Sequence, residues 1–426
     1  MTHPLPPLVA ERLAALRERP AEPTDKGLGL LAPGPSPAEL ARARPVVHAA
    51  GFSYPVLTLR ESALAGNLAA MAAYCAGAGV ELAPHGKTAM SPDLAARQLA
   101  SGAWGITVAT IGQLRAYRAF GFPRLLLANE LVDEAGIAWL ADELAADPGL
   151  AVYCYVDSTD GVAILDRVLT ARPAGRRLPV LVEIGLDRTG CRTDEQAHAV
   201  AKAAAATSTL TVAGVAGYEG AIGGNPRVQS SGPVTSFCRR LANLARAMAD
   251  ADGEFIVTAG GSVYFDVVTR ELTAGDTAGM TVVLRSGCYL FHDHGSYAGV
   301  TPAARGVAGA PVFRPALELW AQVLSRPEPG LALLSAGRRD VGFDSGLPVP
   351  LRARRRDGEA ASLAGAEVTG LNDQHAYLRL DPDTALAPGD LVGLGISHPC
   401  TTLDKWQVIP VLDERDRVID VVHTFF

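Results

Sequence analysis

The sequence is poor in lysine. Only four of its 38 basic residues are Lys, at positions Lys26, Lys87, Lys202 and Lys405, and the other 34 are Arg. Because Arg already supplies nearly all of the positive charge, a retained Lys is a candidate for a role that needs a primary amine, although chance survival is the alternative. Acidic residues outnumber basic ones, and the net charge of −7 argues against nucleic-acid binding.

Long hydrophobic runs are missing as well. No uninterrupted stretch of about 18 apolar residues occurs, so we predict no transmembrane helix. The first 23 residues carry several charges and lack the apolar core of a signal peptide. The six Cys form no C-x-x-C pair and do not indicate a disulfide framework. We therefore expect a cytoplasmic protein.

From about residue 61 to residue 284, short apolar runs alternate with Ala-rich stretches of helical character. The apolar runs are 80–83, 105–109, 124–128, 151–156, 179–184, 210–216, 255–259 and 281–284. The helical stretches are 91–101, 111–119, 133–146, 158–171, 193–206 and 233–251. Apolar strands separated by helices indicate a parallel sheet covered on its faces, and eight strands predict a (β/α)₈ TIM-type barrel of the α/β class. A doubly wound sheet is the alternative, but no G-x-G-x-x-G follows these strands.

The pattern changes after about residue 300, where helical periodicity fades and β-like runs recur between Pro and Gly residues. This change predicts a second, mainly β domain. We divide the chain into an N-terminal arm (1–53) that associates with the β domain, a barrel (54–304) and a C-terminal β domain (305–426).

The segment Pro84–Thr88 follows the first predicted barrel strand and contains His85 and Lys87. The carboxyl ends of barrel strands form the active sites of such folds. A Lys amine at this place can attack a carbonyl and later transfer a proton, which suits pyridoxal phosphate chemistry. The alternative is an ordinary surface Lys in a loop.

Three further loops at predicted strand ends hold candidate binding residues. Gly260, Gly261 and Ser262 follow the seventh strand, where backbone N–H groups of a Gly-rich turn can hold a phosphate. Arg188 follows the fifth strand and can reach an anion or phenolate, or form a structural ion pair instead. Tyr218 ends the sixth strand and can stack on a flat ring or cap the barrel core.

The β domain contains a possible metal half-site, His398 and Cys400, two positions apart. In an extended chain such residues point to the same side, and imidazole and thiolate suit zinc. Another group, His292, Asp293 and His294, follows the eighth strand, and we favour substrate or supporting contacts over metal ligation for it. The remaining Cys are expected to pack as small apolar residues.

Taken together, these motifs resemble the fold-type III pyridoxal-phosphate enzymes, the alanine-racemase-like class, and within it the D-serine dehydratase and D-threonine aldolase group. The resemblance extends over about residues 55–406. It rests on Pro84–Thr88, Asp187–Gly190, Gly260–Ser262, Arg285–Tyr289 and Ser397–Cys400.

The resemblance implies a pyridoxal 5'-phosphate cofactor attached to Lys87 and bordered by His85 and Tyr289. It places Arg188 near the phenolic oxygen of the cofactor, and it implies that Gly260–Ser262 hold the phosphate of the cofactor. Tyr218 stands where related enzymes often have His, so this position departs from the common pattern. His398 and Cys400 match the metal pair of the group, with zinc favoured and manganese as the alternative. The resemblance also implies a homodimer, with each site bordered by the β domain of the partner.

The function implied is that of a lyase acting on D-β-hydroxy amino acids. The residue pair His398 and Cys400 favours dehydration of D-serine-like substrates to a keto acid and ammonia. Retro-aldol cleavage to glycine and an aldehyde uses the same metal contact and is the first alternative. Amino acid racemisation and non-catalytic cofactor binding are further alternatives.

Overall fold

The structure is a computed structural model that describes residues 3–28, 34–48, 51–222, 231–249, 254–275 and 279–426. Within these residues the chain folds into a parallel barrel and a mainly β domain. This architecture confirms the fold predicted from the sequence. The last two residues of the predicted helix 233–251 lie outside the described residues.

The barrel contains eight parallel strands, which coincide with the eight apolar runs. They are β2 (Glu81–Leu82), β3 (Ile106–Val108), β4 (Arg124–Glu130), β5 (Ala151–Val156), β6 (Leu178–Ile184), β7 (Leu210–Gly217), β8 (Phe255–Ala259) and β9 (Met280–Leu284). Their order is β2-β9-β8-β7-β6-β5-β4-β3. A parallel bridge from His85 to Thr107 joins the two ends of this sheet, so that the strands surround a common core.

Eight helices alternate with these strands. They are α3 (Glu61–Ala78), α4 (Pro92–Ala100), α5 (Ile111–Ala119), α6 (Glu134–Ala146), α7 (Thr159–Ala171), α8 (Asp194–Ala205), α9 (Gly232–Met248) and α10 (Phe265–Leu272). Five of them begin at a polar side chain that accepts a hydrogen bond from the first turn, namely Ser91, Thr110, Asp133, Ser158 and Thr193. Such caps satisfy backbone N–H groups that have no partner within a helix, so they set where each helix starts.

The β domain is built around one long mixed sheet. Its strands are β1 (Val56–Arg60), β10 (Leu317–Glu328), β11 (Leu331–Leu334), β12 (Val349–Arg354), β13 (Ala360–Ala361), β14 (Glu367–Leu371), β15 (Ala376–Arg379), β16 (Leu391–Gly395), β17 (Val408–Leu412) and β18 (Val418–His423). The main path runs β13-β12-β16-β10-β1-β17-β18, and β11, β15 and β14 extend from β10. A short helix, α11 (Cys400–Leu403), lies between β16 and β17.

Strand β1 belongs to the β domain, which differs from the predicted boundary at residue 54. It pairs antiparallel with β10 through Leu57 and Leu319, and parallel with β17 through Leu59 and Val411. Its first four residues are buried. The sequence places the run 54–60 in the barrel, whereas in the structure this run forms a strand whose apolar side chains are buried in the sheet of the β domain.

The described part of the N-terminal arm contacts both domains. Helix α1 (Pro7–Arg17) packs on α4 of the barrel, with Val9 and Leu13 buried. Helix α2 (Pro37–Ala43) packs on β18 of the β domain. Among the described residues, no helix is both long and apolar enough to cross a membrane.

Candidate active site

A cavity of 280 Å³ opens at the carboxyl ends of the barrel strands. The loops that follow the parallel strands meet at this end, as the fold requires. Twelve residues from all eight strand ends line the cavity: His85, Lys87, Ala109, Ala128, Asn129, Tyr155, Arg188, Thr189, Tyr218, Gly260, Gly261 and Arg285. Six of the ten residues predicted to form the site are in this set, namely His85, Lys87, Arg188, Tyr218, Gly260 and Gly261.

Lys87 lies in a 3₁₀ turn, Gly86–Thr88, directly after β2. Its side chain is exposed towards the cavity. The buried Tyr117 on α5 donates a hydrogen bond of 2.9 Å to the carbonyl of Gly86. A Cβ at Gly86 would lie 2.6 Å from the Tyr117 hydroxyl, so this position accepts only Gly. The close approach of Tyr117 fixes the turn that presents Lys87.

His85 and Tyr155 each have a buried polar atom without a hydrogen-bond partner among the described residues. Neither His85 Nδ1 nor the Tyr155 hydroxyl has a hydrogen-bond partner among the residues that the structure describes. Burial, together with the positive charges of Lys87, Arg285 and Arg188, lowers the pKa of His85. The His85 ring is therefore neutral at physiological pH. Unsatisfied buried polar atoms in a cavity are typical of a site that binds a polar ligand.

Arg188 and Tyr218 face each other across the cavity wall. The guanidinium carbon of Arg188 lies 4.8 Å from the centre of the Tyr218 ring, a cation–π contact. Burial raises the pKa of Tyr218, so its hydroxyl is protonated. The pair brings one positive charge and one aromatic ring to the place where the sequence predicted contacts with a flat anionic ligand.

The Gly260–Ser262 turn has the geometry expected of an anion cradle, but its amides already have a partner. Gly260 adopts φ +101°, and a Cβ there would lie 2.9 Å from Leu284 Cδ2. The carboxylate of the buried Glu219 accepts hydrogen bonds from the N–H groups of Gly260 (3.0 Å) and Gly261 (2.6 Å). This differs from the prediction that these N–H groups hold a phosphate. The turn is held by Glu219, and Ser262 is half-buried outside the cavity lining.

Arg285 lines the cavity, although the sequence motif that contains it gave it no role of its own. It is buried at the end of β9 and donates hydrogen bonds to Thr258 Oγ1 (2.7 Å) and to the carbonyl of Gly217 (2.6 Å). It thereby ties β9 to β8 and β7 beneath the cavity. Its position directly after an apolar run was the available signal, and Asn129 shares that placement, whereas Tyr155 lies within the apolar run of β5.

Tyr289 does not line the cavity, contrary to the role implied for it. It lies in the 3₁₀ turn Cys288–Leu290, where neighbouring side chains point in different directions. Its hydroxyl accepts a hydrogen bond of 3.1 Å from Gln98, and its ring packs near Phe313. Tyr289 therefore faces the α4 side of the barrel, while Cys288 faces the β domain.

An acidic cluster lies at the ends of β4, β5 and β6. Carboxylate oxygens of Glu130, Asp157 and Glu183 lie within 4.8 Å of one another. Burial, followed by the hydrogen bond with Glu183, raises the pKa of Glu130 to about 8. At neutral pH Glu130 is therefore protonated and shares its proton with Glu183, which relieves the repulsion between the carboxylates.

The predicted metal pair comes to lie beside the Lys87 turn. Cys400 Sγ is 3.5 Å from Thr88 Oγ1, and His398 Nδ1 is 2.6 Å from an oxygen of Asp344. The extended geometry assumed for the pair is wrong, because Pro399 is helical and Cys400 begins α11. Tertiary packing between α11 and the Lys87 turn, rather than strand alternation, positions the Cys400 thiol.

Cys288 is not a simple packing residue, contrary to the sequence-based expectation. Its Sγ lies 3.6 Å from Cys400 Sγ and 3.6 Å from Thr88 Oγ1, and the Tyr297 hydroxyl donates to it. The hydrogen bond from Cys400 is the largest of the effects that lower the pKa of Cys288 to about 6. The same contact raises the pKa of Cys400, and the positive charge of Lys87 acts in the opposite direction.

The His292–His294 group has a structural role. The buried Asp293 carboxylate accepts hydrogen bonds from the N–H groups of Gly295, Tyr297 and Ala298 and so shapes the turn that carries Tyr297. Burial lowers the pKa of His292 to about 4 and raises that of Asp293 to about 6. This agrees with the preference for supporting contacts over metal ligation.

These residues fit a cofactor and a metal ion. The cavity offers an exposed amine, two cationic side chains, an aromatic ring and unsatisfied polar atoms, which suit a flat anionic cofactor. The adjacent thiols and an imidazole that is hydrogen-bonded to a carboxylate suit a borderline-soft divalent metal such as zinc.

Sequence comparisons match both domains. The alanine racemase N-terminal domain matches residues 59–260, and the putative serine dehydratase domain matches residues 316–412. The chain is 29% identical to the D-threonine aldolase of Arthrobacter sp over 377 residues, which is 86% of this chain and 90% of the relative. It is also 29% identical to the 3-hydroxy-D-aspartate aldolase of Paracoccus denitrificans, with coverage of 79% and 84%.

Solved structures with this fold include two lyases. The D-threonine aldolase of Filomicrobium marinum superposes with a TM-score of 0.74 at 25% identity, over 88% of this chain and 95% of that one. The D-threo-3-hydroxyaspartate dehydratase of Delftia sp. HT23 gives a TM-score of 0.67 at 21% identity, over 88% and 97%. With both domain matches covering more than half of its length, this chain belongs to the fold-type III pyridoxal-phosphate enzymes, in a branch whose named relatives are lyases.

Proposed function

We propose that this protein is a pyridoxal-phosphate- and metal-dependent lyase of D-β-hydroxy amino acids, and that it dehydrates D-serine-like substrates to a keto acid and ammonia. One observation carries the proposal. The Cys400 thiol of the predicted metal pair lies 3.5 Å from Thr88, the residue next to the candidate catalytic Lys87. A metal that binds the β-hydroxyl and an amine that acts at the α-carbon must lie on the same side of one cavity, because they act on neighbouring atoms of one substrate.

The cofactor, when bound, supplies an electron sink for negative charge that develops at the substrate α-carbon. Lys87 supplies the amine that binds the cofactor aldehyde, and once free it takes the proton from the α-carbon. Arg188 brings a positive charge and Tyr218 an aromatic ring to the cavity wall. The neutral His85 offers Nδ1 to a polar ligand atom.

His398 and Cys400 are the residues that would hold the metal, which supplies a Lewis acid for the β-hydroxyl. Asp344 accepts from His398 Nδ1 at 2.6 Å and thereby leaves Nε2 for ligation. Thr88 bridges this side of the site to the Lys87 turn. The two domains thus contribute one reactive group each.

Dehydration is favoured over aldol cleavage by the thiol at position 400. One solved structure of the D-threo-3-hydroxyaspartate dehydratase is described as a cysteine-to-alanine variant in the metal-free form, which associates a cysteine with the metal of a dehydratase. Retro-aldol cleavage is the second candidate, because the curated relatives at 29% identity are aldolases. Both reactions need the same metal contact with the β-hydroxyl.

We further propose that the protein is a cytoplasmic homodimer. We also propose that its metal is zinc rather than manganese. Four exposed apolar side chains lie close together in the β-domain sequence, namely Phe343, Leu347, Val349 and Leu351, and Phe343 is next to Asp344, which contacts His398. Exposed apolar side chains in one segment support a protein interface there. Light scattering of the purified protein gives the mass directly, and a monomer at micromolar concentration contradicts this part of the proposal.

Product analysis separates the reactions. D-threo-3-hydroxyaspartate yields oxaloacetate and ammonia if the enzyme dehydrates, but glycine and glyoxylate if it cleaves the Cα–Cβ bond. D-serine and D-threonine should be tested alongside. Recovery of the L-enantiomer without ammonia or glycine indicates a racemase and contradicts the lyase proposal. Lys202→Arg, in α8 on the barrel exterior, is the control for Lys87→Arg.

A further inference from the structure

We propose that Cys288 is a third protein ligand of the metal, so that the site consists of Cys288, His398 and Cys400. This inference rests on the proposed function, because it concerns the metal that the function requires. The resemblance to the dehydratase and aldolase group implies only the pair His398 and Cys400 as metal ligands. Cys288 lies 112 positions earlier, at the end of the barrel, and reaches the pair only in the folded chain.

The separation of the two sulfurs matches joint ligation of one ion. Cys288 Sγ and Cys400 Sγ are 3.6 Å apart. Two sulfurs bound at about 2.3 Å to one tetrahedral zinc lie about 3.8 Å apart. Joint ligation by the two sulfurs therefore needs a shift of only about 0.2 Å, whereas a disulfide needs the sulfurs at about 2.05 Å. The ring nitrogens of His398 do not lie within 4.8 Å of both sulfurs, so His398 completes the set only when its side chain moves towards them. The thiols are spaced for a shared metal.

Both thiols are held by neighbours that are compatible with ligation. Thr88 Oγ1 lies 3.5 Å from Cys400 Sγ and 3.6 Å from Cys288 Sγ, and the Tyr297 hydroxyl donates to Cys288. The Cys400 thiol donates to Thr88 Oγ1, and the Tyr297 hydroxyl would remain a partner of Cys288 Sγ when this sulfur binds a metal. Asp344 orients the His398 ring in the way that carboxylates orient metal-bound imidazoles.

A Cys288–His398–Cys400 set changes what the site can do. Three protein ligands leave a tetrahedral zinc with one open position, which is the arrangement of catalytic zinc sites. The substrate β-hydroxyl would then be the fourth ligand. Two thiolates also favour zinc over manganese, which prefers oxygen ligands. The inference therefore predicts both the coordination number and the metal preference.

Cobalt substitution counts the bound thiolates. Purified full-length protein, freed of metal with a chelator, is titrated with Co²⁺, and the near-ultraviolet thiolate-to-cobalt absorbance is measured. Each bound thiolate adds to this band, so we expect Cys288→Ser and Cys400→Ser each to retain about half of the wild-type intensity and the double variant to retain none. Zinc affinity, measured by competition with a chromophoric chelator, should fall about 100-fold or more in Cys288→Ser.

Cys75→Ser is the matched control, because Cys75 is as buried as Cys288, at 7% exposure, but lies on α3 of the barrel exterior. It should keep the full band and the wild-type zinc affinity. A wild-type band with an unchanged Cys288→Ser spectrum overturns the third ligand and leaves the proposed function standing. No band and no zinc binding in wild type overturns both.

Zinc X-ray absorption of the unmodified protein provides a measurement that does not depend on any variant. Two zinc–sulfur contacts at about 2.3 Å support the inference, and one contact contradicts it. This readout applies even if Cys288→Ser does not fold.

Discussion

At the scale of single residues, the four Lys differ in their locations and contacts. Lys87 alone is in the cavity. Lys26 has a structural role, because its Nζ lies 2.6 Å from the buried Asp340 and 4.2 Å from the centre of the Trp406 ring. Lys405 bonds to the neighbouring Asp404, and Lys202 lies in the last turn of α8. The scarcity of Lys therefore left few candidate amines, and the position of Lys87 in the cavity identified it among them.

We expect Lys87→Arg to abolish turnover and the visible absorbance of bound pyridoxal phosphate. Arg keeps the positive charge, but its guanidinium does not attack a carbonyl at neutral pH. Absorbance spectra and product assays with D-serine check this prediction, and Lys202→Arg should behave like wild type. Substantial turnover by Lys87→Arg rules out the proposed role.

Glu219→Gln should destabilise the protein by about 1–3 kcal/mol, because a buried acceptor of two backbone hydrogen bonds is replaced by a group with one acceptor and one donor. Denaturant unfolding measures the loss. The exposed Glu11→Gln serves as the control and should change little. Equal stability of the two variants contradicts the view that Glu219 holds the Gly260–Gly261 turn.

At the scale of elements, apolar runs and polar caps were readable from the sequence. All eight barrel strands were predicted, since each is a buried run between helices, and Ser91, Thr110 and Ser158 begin helices where the pattern indicated. The domain of β1 was not predictable, because a buried apolar strand carries no mark of the sheet that it joins. Helices α3 and α10 were also not among the predicted helical stretches.

Glu130, in the acidic cluster at the ends of β4, β5 and β6, should make the stability of the protein depend on pH. Its pKa of about 8 in the folded protein exceeds the ordinary value of 4.5, so the folded state holds the proton between these limits. The contribution of Glu130 to stability is therefore lost as pH rises through about 8. Gln cannot ionise, so Glu130→Gln should gain melting temperature relative to wild type between pH 6 and pH 9. A constant difference over this range contradicts the shared proton.

At the scale of the whole molecule, the proposed active site lies where the two domains meet. The barrel supplies Lys87, and the β domain supplies His398 and Cys400, with Thr88 in contact with Cys400. The two sets are more than 300 residues apart in sequence. Each of the two domains is matched by its own family model.

Removing the metal should therefore affect lyase activity without affecting cofactor binding. We expect dialysis against EDTA to abolish lyase activity while the visible absorbance of the cofactor persists, because different domains hold the two groups. Added Zn²⁺ should restore turnover, and His398→Ala should not respond to it. Full activity of a metal-free preparation that EDTA does not affect contradicts the proposed metal role.

The sequence by itself determined the barrel, the β domain and half of the cavity residues, because strand periodicity and the placement of loops after strands are local properties. Only the tertiary structure decided that Tyr289 turns away, that Glu219 occupies the Gly260 and Gly261 amides, and that Cys288 meets Cys400. These contacts join residues between 41 and 191 positions apart. They depend on how helices and strands pack, and local patterns do not encode that packing.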